Sequence, residues 1–334
     1  MRVLLTGGSG FIAAHCVDYL LQGNHEVVFT VRSHEKGKKI LSNHPNVPEA
    51  KLSYVIVEDI AKEDAFDEAV KGTPPFQAVL HTASPFHFNV KDAKKDLLDP
   101  AIIGTTGILK AIQKNAPQVK RVVITSSFAA IVNPKQNPDT YDESHWNPVT
   151  MDEATNTDPG TAYRGSKKFA EKAAWDFVKD NKVNFTLSTM NPPLVLGPVV
   201  HYFNSLDSIN TSNETIRDMI QGKFKDGLPP TRVILFVDVR DLALAHVRAM
   251  EREEAENKRF FITAGFFQNS DVAKIIKDNF PELKEKLPKE MEPDIKEFPY
   301  KIDNSRATKI LSIEWRKLEE SVIDTVKSMQ AAGA

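Results

Sequence analysis

The stretch Thr6-Gly7-Gly8-Ser9-Gly10-Phe11-Ile12-Ala13 joins an apolar, β-branched run to an apolar run of helical period. The preceding run, Arg2–Thr6, predicts a strand, and Phe11–Gln22 predicts a helix. Glycines permit a tight turn and let a pyrophosphate approach the backbone at a helix N-terminus, where negative charge is stabilised. The spacing Gly-x-x-Gly-x-x-Ala is a variant of the dinucleotide fingerprint, in which the small Ala13 allows close packing of helix on strand. Many loops contain glycines, so the position of this turn at the start of a βαβ pattern is what predicts a dinucleotide site.

Short apolar runs alternate with helical patterns along the first two-thirds of the chain. Continuous apolar strands that alternate with helices indicate a parallel sheet with right-handed crossovers, covered on both faces. The predicted fold class is therefore α/β, a Rossmann-type doubly wound parallel sheet with a smaller C-terminal substrate lobe. Strands are predicted at Arg2–Thr6, Glu26–Val31, 52–57, 77–81, Arg121–Thr125 and 185–190, and helices at Phe11–Gln22, 65–71, 96–115 and 163–180.

The remainder of the chain is less regular. Residues 133–159 are rich in Pro, Asn and Asp and predict a long surface loop. We expect residues 1–190 to form mainly the dinucleotide-binding domain and residues 191–334 mainly the substrate-binding lobe, with residues from about 231 to 250 returning to the first domain. In this second part, helices are predicted at 215–221, 240–250, 271–279 and 318–329, and strands at 232–236 and 259–263.

Composition excludes several classes of protein. Of 334 residues, 41% are hydrophobic and 26% charged, and the net charge is −2, which favours neither nucleic acid nor an anionic membrane as partner. No apolar stretch is long enough to cross a bilayer, and the first residues do not resemble a leader peptide, so a cytoplasmic location is expected. The only cysteine, Cys16, lies in an apolar run typical of a core position rather than of a nucleophile. No histidine or cysteine spacing suggests a metal site.

The end of the second predicted strand selects the dinucleotide. NAD sites usually have a carboxylate there, but this strand ends in Val31-Arg32. Arg32 offers a planar fork for a 2′-phosphate, and Lys36 offers a second charge. The alternative is an ordinary solvated basic loop. Asp59 is a candidate acceptor for the adenine amine, or else a helix N-cap.

A candidate proton donor lies in Tyr163-Arg164-Gly165-Ser166-Lys167. Residues four apart share one face of a helix, so Tyr163 and Lys167 can reach a common ligand. A nearby ammonium is expected to lower the pKa of the tyrosine, which could then protonate an alkoxide as hydride arrives at the carbonyl carbon. Taken alone, the pair could equally be an exposed helix face with the tyrosine packed over a lysine stem.

The context of the pair strengthens the catalytic interpretation. Thr125-Ser126-Ser127 stands at the carboxyl end of the fifth predicted strand, the edge at which open α/β sheets bind ligands. A serine hydroxyl there can donate to the carbonyl oxygen of a substrate, although serines after strands are also common turn or cap residues.

The glycine turn, the serine pair and Tyr-x-x-x-Lys, in this order, resemble an extended short-chain dehydrogenase/reductase over nearly the whole chain. Four segments resemble a narrower branch, the yeast NADPH-dependent methylglyoxal and isovaleraldehyde reductases, and plant dihydroflavonol reductases are more distant relatives. These segments are residues 81–86, 143–148, 165–175 and 238–241.

The resemblance implies NADP(H) as cofactor and reduction of aldehydes and ketones, including α-dicarbonyls, to alcohols. It implies Ser127, rather than Ser126, as the catalytic serine, Tyr163 as proton donor and Lys167 as a ligand of the nicotinamide ribose. The further cofactor contacts that it implies are Gly7, Gly10, Phe11, Ile12, Arg32, Lys36, Asp59, Ile60, Thr82, Ala83, Ser84, Pro192, Leu194 and Val195.

A largely apolar substrate pocket is expected beside Ser127 and Tyr163, although each phenylalanine in it could be ordinary core. The chain departs from the yeast branch at Phe128, where the relatives often have tyrosine, and at residues 201–213, which follow no recognisable pattern. The candidate pocket residues are Ser84, Phe86, Phe88, Phe128, Val195 and Tyr202.

Two other functions fit the fold. A nucleotide-sugar epimerase or dehydratase would need cations in the second lobe, for which Arg217, Arg232 and Arg240 are available but not clustered. A non-enzymatic NADP-sensing regulator would usually lack the Tyr/Lys pair. The expected partner is a small-molecule carbonyl substrate, and the chain is expected to be a monomer or a homodimer.

Overall fold

The computed structural model describes residues 1–84, 91–200, 206 and 209–333. Within these residues the strands are β1 (Arg2–Thr6), β2 (Glu26–Val31), β3 (Leu52–Ile56), β4 (Ala78–His81), β5 (Arg121–Thr125), β6 (Thr140–Tyr141), β7 (Thr186–Asn191), β8 (Leu194–Leu196), β9 (Leu235–Asp238), β10 (Lys258–Phe261), β11 (Gly265–Phe266) and β12 (Lys301–Ile302). Seven of them form a parallel central sheet in the order β10-β7-β5-β4-β1-β2-β3. This is the predicted Rossmann-type α/β fold.

Helices cover both faces of this sheet. They are α1 (Phe11–Gln22), α2 (His34–Ser42), α3 (Asp99–Asn115), α4 (Met151–Asn156), α5 (Pro159–Asp180), α6 (Glu214–Ile220), α7 (Val239–Glu251), α8 (Asn269–Asn279), α9 (Ser305–Leu311) and α10 (Leu318–Ala331). A π-helical turn, Lys94–Leu98, leads into α3, and a 3₁₀ turn, Phe128–Ala130, follows β5.

Successive side chains of a central strand enter two different cores, because side chains alternate across a strand. Val3 and Leu5 of β1 pack in the core formed with α1 and α7, whereas Leu4 packs in the core on the opposite face with α3 and Ala174 of α5. All three β1 residues are fully buried. Burial on both faces explains why the strands read as continuous apolar runs.

A smaller core lies in the later part of the chain. The strands β11, β9 and β8 form a three-stranded sheet, and α6, α8 and α10 pack around a cluster that includes Met219, Phe267 and Val326. The chain nevertheless crosses back twice, since α7 packs against α1 and β10 forms an edge strand of the central sheet. The smaller cluster therefore stands beside the carboxyl edge of the sheet, where β8 continues from β7.

Several predicted elements are wrong in type or extent. No helix forms at 65–71, because successive backbone bonds such as Ala65 N–H to the carbonyl of Lys62 close separate i→i+3 turns. The predicted loop 133–159 contains β6 and α4, and α4 begins with a capping box between Thr150 and Glu153. Helix α5 begins four residues before Tyr163, because Asp158 caps it and Pro159 occupies its first turn. The strand predicted at 232–236 is displaced to β9.

Helix α2 was not among the predicted elements. It begins after Ser33, whose hydroxyl accepts from the backbone of Lys36, and it contains Gly37 in its second turn. Glycine is a poor helix former, which masks the helical pattern. The residue is required because a Cβ at Gly37 would lie 2.6 Å from the ring of Tyr54. The basic segment after β2 is therefore a helix and not a loop.

Two further observations bear on the predicted exclusions. Among the described residues, no helix is both long and apolar enough to cross a membrane. Cys16 is fully buried in the core between the sheet and α1, where burial raises the pKa of its thiol, so the interpretation of Cys16 as a core residue is confirmed.

The packing of α4 on α5 predicts a steric coupling. A Cβ at Gly165 would overlap the side chain of Ala154. We expect Gly165→Ala to lower the free energy of unfolding by about 1–3 kcal/mol, the usual cost of overpacking. Adding Ala154→Gly should recover part of that loss, although glycine in a helix itself costs about 1 kcal/mol. Denaturant unfolding of both single variants and the double variant measures the coupling, and strictly additive effects would contradict this packing.

Candidate functional site

The glycine turn is fixed by its neighbours on β2 and β4. Gly7 has a φ of +75°, a left-handed conformation that favours glycine, and its N–H donates to Oγ1 of Thr30 at 3.0 Å. A Cβ on Gly7 would lie 3.0 Å from the Cα of Ala83, just beyond the end of β4. The turn therefore brings the backbone of two neighbouring strand ends into direct contact.

Helix α1 opens toward this turn without a side-chain cap. Gly10 occupies the N-cap position, no side chain accepts there, and the first turn contains no acidic residue. The first N–H groups of a helix have no partner within the helix, and they carry the positive end of its dipole. Ala13 is buried against the core, as close packing of helix on strand requires. This end of α1 can accept an anion.

Two cations stand beyond β2. Arg32 and Lys36 are exposed, and no described residue forms an ion pair with either of them. The neighbouring Glu35 pairs instead with Lys39 at 2.8 Å. Asp59, after β3, accepts from the N–H of Ala61 at 2.9 Å, but only turns follow it, so the alternative interpretation of Asp59 as a helix N-cap is wrong.

Ser127, Tyr163, Lys167 and Ser84 meet at the carboxyl edge of the central sheet. Ser127 and Tyr163 share a side-chain hydrogen bond. Lys167 donates from Nζ to Oγ of Ser84 at 2.7 Å, and this Nζ lies 5.8 Å from the centre of the Tyr163 ring. Lys167 is only 9% exposed. The sequence prediction that the serine, the tyrosine and the lysine converge thus agrees with the geometry.

Burial controls the pKa values here. It raises the pKa of Tyr163 to about 12, although the hydrogen bond from Ser127 acts in the opposite direction. Burial also lowers the pKa of Lys167 to about 8. Lys167 is not among the causes of this shift, so its expected stabilisation of the Tyr163 phenolate stays a prediction, while burial decides the direction in which the pKa moves. Tyr163 is fully protonated near neutral pH.

The two serines after β5 have different environments. Ser126 donates to Oε2 of Glu171 at 2.6 Å in a buried polar network, whereas Ser127 faces Tyr163. Ser127 also accepts from the N–H of Ala129 at 3.1 Å, which caps the 3₁₀ turn. Of the two hydroxyls, only that of Ser127 is next to the tyrosine.

The chain is similar to a known family and to several characterised proteins. The model of the NAD dependent epimerase/dehydratase family matches residues 3–263. The chain is 48% identical to the ketoreductase azaE of Aspergillus niger, over 98% of this chain and 97% of the relative. It is 38% identical to the NADPH-dependent methylglyoxal reductase GRE2 of Saccharomyces cerevisiae, over 98% of both chains. The crystal structure of Gre2 from Candida albicans in complex with NADPH is 42% identical, with a TM-score of 0.93 over 100% of both chains.

The chain belongs to the NAD dependent epimerase/dehydratase family. The family match ends at residue 263, after β10, so it includes every strand of the central sheet and the glycine turn. The resemblance to extended short-chain reductases that the motifs indicated is confirmed.

The remaining predicted cofactor residues of this family member line the same sheet edge. Thr82 donates to the carbonyl of Thr6 at 2.6 Å, and Ala83 donates its N–H to the Thr6 hydroxyl at 3.2 Å. The carbonyl of Pro192 accepts from the N–H of Phe128 at 2.8 Å. Further on, Leu194 and Val195 lie in β8, and Ile60 packs beside the core on the α3 face. Their contacts with a cofactor stay predictions.

The predicted substrate pocket is only partly visible. Phe128 is 8% exposed and stacks on Phe261 with ring centres 5.0 Å apart, with the edge of Tyr141 against it, so most of its ring belongs to the core. Val195 is also buried. The positions of Phe86, Phe88 and Tyr202 lie outside the described residues, as does most of 201–208.

Sequence reasoning missed the polar residues behind the serine pair. Glu171 lies two helical turns after Tyr163 on the same face of α5, and it accepts from Ser126, Asn191 and Arg259. A carboxylate four residues after Lys167, between Ala170 and Ala174 on the buried face of α5, is the signal that could have identified Glu171. Nothing in the strand pattern of Lys258–Phe261 distinguishes Arg259 as its partner.

The raised pKa of Tyr163 predicts a spectroscopic result. Between pH 8 and 10, the absorbance difference between the wild type and Tyr163→Phe should show no phenolate, because burial raises the pKa of this phenol to about 12. A difference titration of the cofactor-free protein near 295 nm measures it. A phenolate band that grows below pH 10 would mean that Lys167 already lowers the pKa without cofactor.

Proposed function

We propose that this protein reduces aldehydes and ketones, including α-dicarbonyls, to alcohols with NADPH. The observation that carries the proposal is the hydrogen-bonded pair Ser127 and Tyr163, next to Lys167 and at the sheet edge where the glycine turn also lies. A hydroxyl pair of this kind can bind and protonate one carbonyl oxygen.

The residues present fit NADPH. The contact between Gly7 and Ala83 leaves no room for a side chain at the turn, and α1 begins without a side-chain acceptor, as a pyrophosphate site requires. Arg32 and Lys36 would hold the 2′-phosphate, since both are exposed and no described residue forms an ion pair with either of them. Lys167 would hold the nicotinamide ribose. When bound, NADPH supplies the hydride.

The side chains of the site supply orientation and a proton. Ser127 donates to the carbonyl oxygen and holds it beside Tyr163. Tyr163 donates its phenolic proton to the same oxygen as negative charge develops there, and its raised pKa keeps it protonated until then. The Lys167 ammonium next to the ring stabilises the phenolate that this transfer leaves behind. The relatives named as a ketoreductase and as an NADPH-dependent methylglyoxal reductase support this chemistry.

Of the three arginines considered for a nucleotide-sugar epimerase, Arg232 is exposed, whereas the other two are engaged within the protein. Arg217 is 7% exposed and bonds to Asp218 and to the carbonyl of Leu206. Arg240 pairs with Asp238 and Asp324. These guanidinium groups are already satisfied by the protein, which leaves them poorly suited to bind a diphosphate. A sensor without enzymatic activity is not favoured either, because the site retains the complete serine, tyrosine and lysine set.

We place the reaction in the cytoplasm, in a monomer or a homodimer. The buried, unpaired Cys16 suits a reducing compartment. Trp175 and Phe177 of α5 are partly buried and pack against the core, so neither side chain is free to form an apolar dimer face. Analytical ultracentrifugation would decide between the two oligomeric states.

Tyr163→Phe tests the reaction. In an NADPH oxidation assay with methylglyoxal, isovaleraldehyde, diketones and aryl ketones, we expect turnover to fall about 10²- to 10⁴-fold, the usual contribution of a general acid. The affinity for NADPH, followed by its fluorescence, should be retained.

Tyr19→Phe, which removes a hydroxyl from α1 at a distance from the serine pair, is the matched control and should leave turnover unchanged. Undiminished turnover of Tyr163→Phe would refute the assignment of Tyr163. Wild-type protein that binds NADPH but reduces no member of the panel would refute the proposed reaction itself.

The double variant Arg32→Ala/Lys36→Ala tests the choice of cofactor. Loss of two charge-assisted contacts should raise KM for NADPH about 10- to 100-fold and leave KM for NADH nearly unchanged, because only NADPH carries the 2′-phosphate. Lys38→Ala, an exposed lysine of the same helix, is the control. Equal losses for both cofactors would contradict a 2′-phosphate site at Arg32 and Lys36.

A further inference from the structure

A buried carboxylate stands behind the serine pair. Glu171 is 2% exposed, and its Oε2 accepts from Ser126 at 2.6 Å and from Nδ2 of Asn191 at 2.7 Å. Its Oε1 accepts from Arg259 at 2.6 Å, from Thr189 at 3.0 Å and from the indole of Trp175 at 3.2 Å. One side chain of α5 thus joins the ends of β5, β7 and β10.

The bonds of Asn191 extend this contact to the reacting serine. Its amide group donates to Oε2 of Glu171 and also to the backbone carbonyl of Ser127 at 3.1 Å. Glu171 is therefore two hydrogen bonds from Ser127 through Asn191, and it directly holds the adjacent Ser126. Lys167 and Tyr163 lie on the same face of the same helix, one and two turns earlier, respectively.

Arg259 connects Glu171 to residues 143–147, which pack over the loop that carries Ser127. Its Nη1 donates to the carbonyls of Glu143 at 2.6 Å and His145 at 2.8 Å, and its guanidinium carbon lies 3.7 Å from the centre of the Trp146 ring. Next to them, Asn147 donates to the carbonyls of Ala129 and Ala130, both at 2.9 Å. Residues 143–147 thus bind Arg259 on one side and the 3₁₀ turn after Ser127 on the other.

We infer that Glu171 and Arg259 are positioning residues that fix Ser127 relative to Tyr163, an inference that rests on the proposed carbonyl reduction. Tyr163 is carried by a helix and Ser127 by the loop after β5, so their distance depends on what joins helix to loop. The Glu171–Arg259 pair joins α5 to the loop after β5, and it also binds residues 143–147, which pack over that loop.

If Glu171 and Arg259 only filled space in the core, a buried ion pair would not be needed at these positions. Burying two charges costs free energy unless both are fully hydrogen-bonded, and apolar side chains of similar volume often stabilise a protein as well. Here each Glu171 oxygen has at least two donors, and the Arg259 fork bonds a carboxylate and two carbonyls at once. Such bonds fix direction as well as distance, which a catalytic hydrogen-bond pair needs.

The test uses full-length Arg259→Lys, which keeps the charge and removes the fork, and Ser126→Ala, which removes one bond to Glu171 at little cost in volume. We expect kcat to fall about 10- to 100-fold in Arg259→Lys, as for a misplacement near 1 Å, and less in Ser126→Ala, with NADPH affinity unchanged. Arg121→Lys is the matched control, since Arg121 pairs with Glu256 at the opposite end of β5.

Cofactor binding separates positioning from partial unfolding. A misfolded fraction lowers kcat and the amount of NADPH bound per mole of protein by the same factor. A displaced Ser127 lowers kcat while NADPH binding stays complete. Wild-type kcat in Arg259→Lys, or a loss of kcat matched by an equal loss of NADPH-binding capacity in both variants, would overturn the inference.

A second readout is independent of turnover. With ¹³C-labelled tyrosine, the NMR signal of the Tyr163 Cζ, assigned from Tyr163→Phe, reports its bond to Ser127. Arg259→Lys should shift this signal toward its position in Ser127→Ala, and Arg121→Lys should leave it in place. An unshifted signal in Arg259→Lys would overturn the inference, whether or not the wild type reduces a carbonyl. A wild type that reduces no carbonyl would refute the proposed function, but not the positioning of Ser127 by Glu171 and Arg259.

Discussion

All seven strands of the central sheet run parallel, so their carboxyl ends meet at one edge. Each strand there is followed by a polar or glycine-rich segment, because the chain must leave the apolar interior at that point. The glycine turn follows β1, Arg32 follows β2, Thr82 to Ser84 follow β4, and the serine pair follows β5. Residues distant in sequence therefore become neighbours because of strand direction alone, and the site depends on the sheet more than on any single contact.

Within that edge, burial sets the electrostatics. The same removal from water that raises the pKa of Tyr163 lowers that of Lys167, so both groups move toward their neutral forms. Behind them, the buried carboxylate of Glu171 accepts hydrogen bonds from five side chains, Arg259 among them. The protonated phenol of Tyr163 and the fully hydrogen-bonded ion pair of Glu171 and Arg259 therefore share one low-dielectric environment.

The motifs that the sequence predicted well are local. Gly7, Gly10 and Ala13 lie within seven residues, and Tyr163 and Lys167 lie within one helical turn, so short-range geometry was enough to place them. Glu171 and Arg259 are 88 residues apart, and only the pairing of β7 with β10 brings them together. The wrong helix at 65–71 and the unpredicted helix α2 share a cause, because hydrophobic period does not reveal what decides the backbone there. At 65–71 separate turn bonds decide it, and in α2 the contact of Gly37 with Tyr54 requires a glycine.

The bond from Lys167 to Ser84 has a thermodynamic consequence. A free lysine side chain loses up to about 2 kcal/mol of rotamer entropy when it is immobilised. Here the protein itself holds Nζ at 2.7 Å from Oγ of Ser84. The rotamer entropy of Lys167 is therefore lost on folding and not on binding. A cofactor whose ribose hydroxyl replaces that of Ser84 would bind to a lysine that is already ordered. Part of the binding energy is in this way stored in the fold before any ligand arrives.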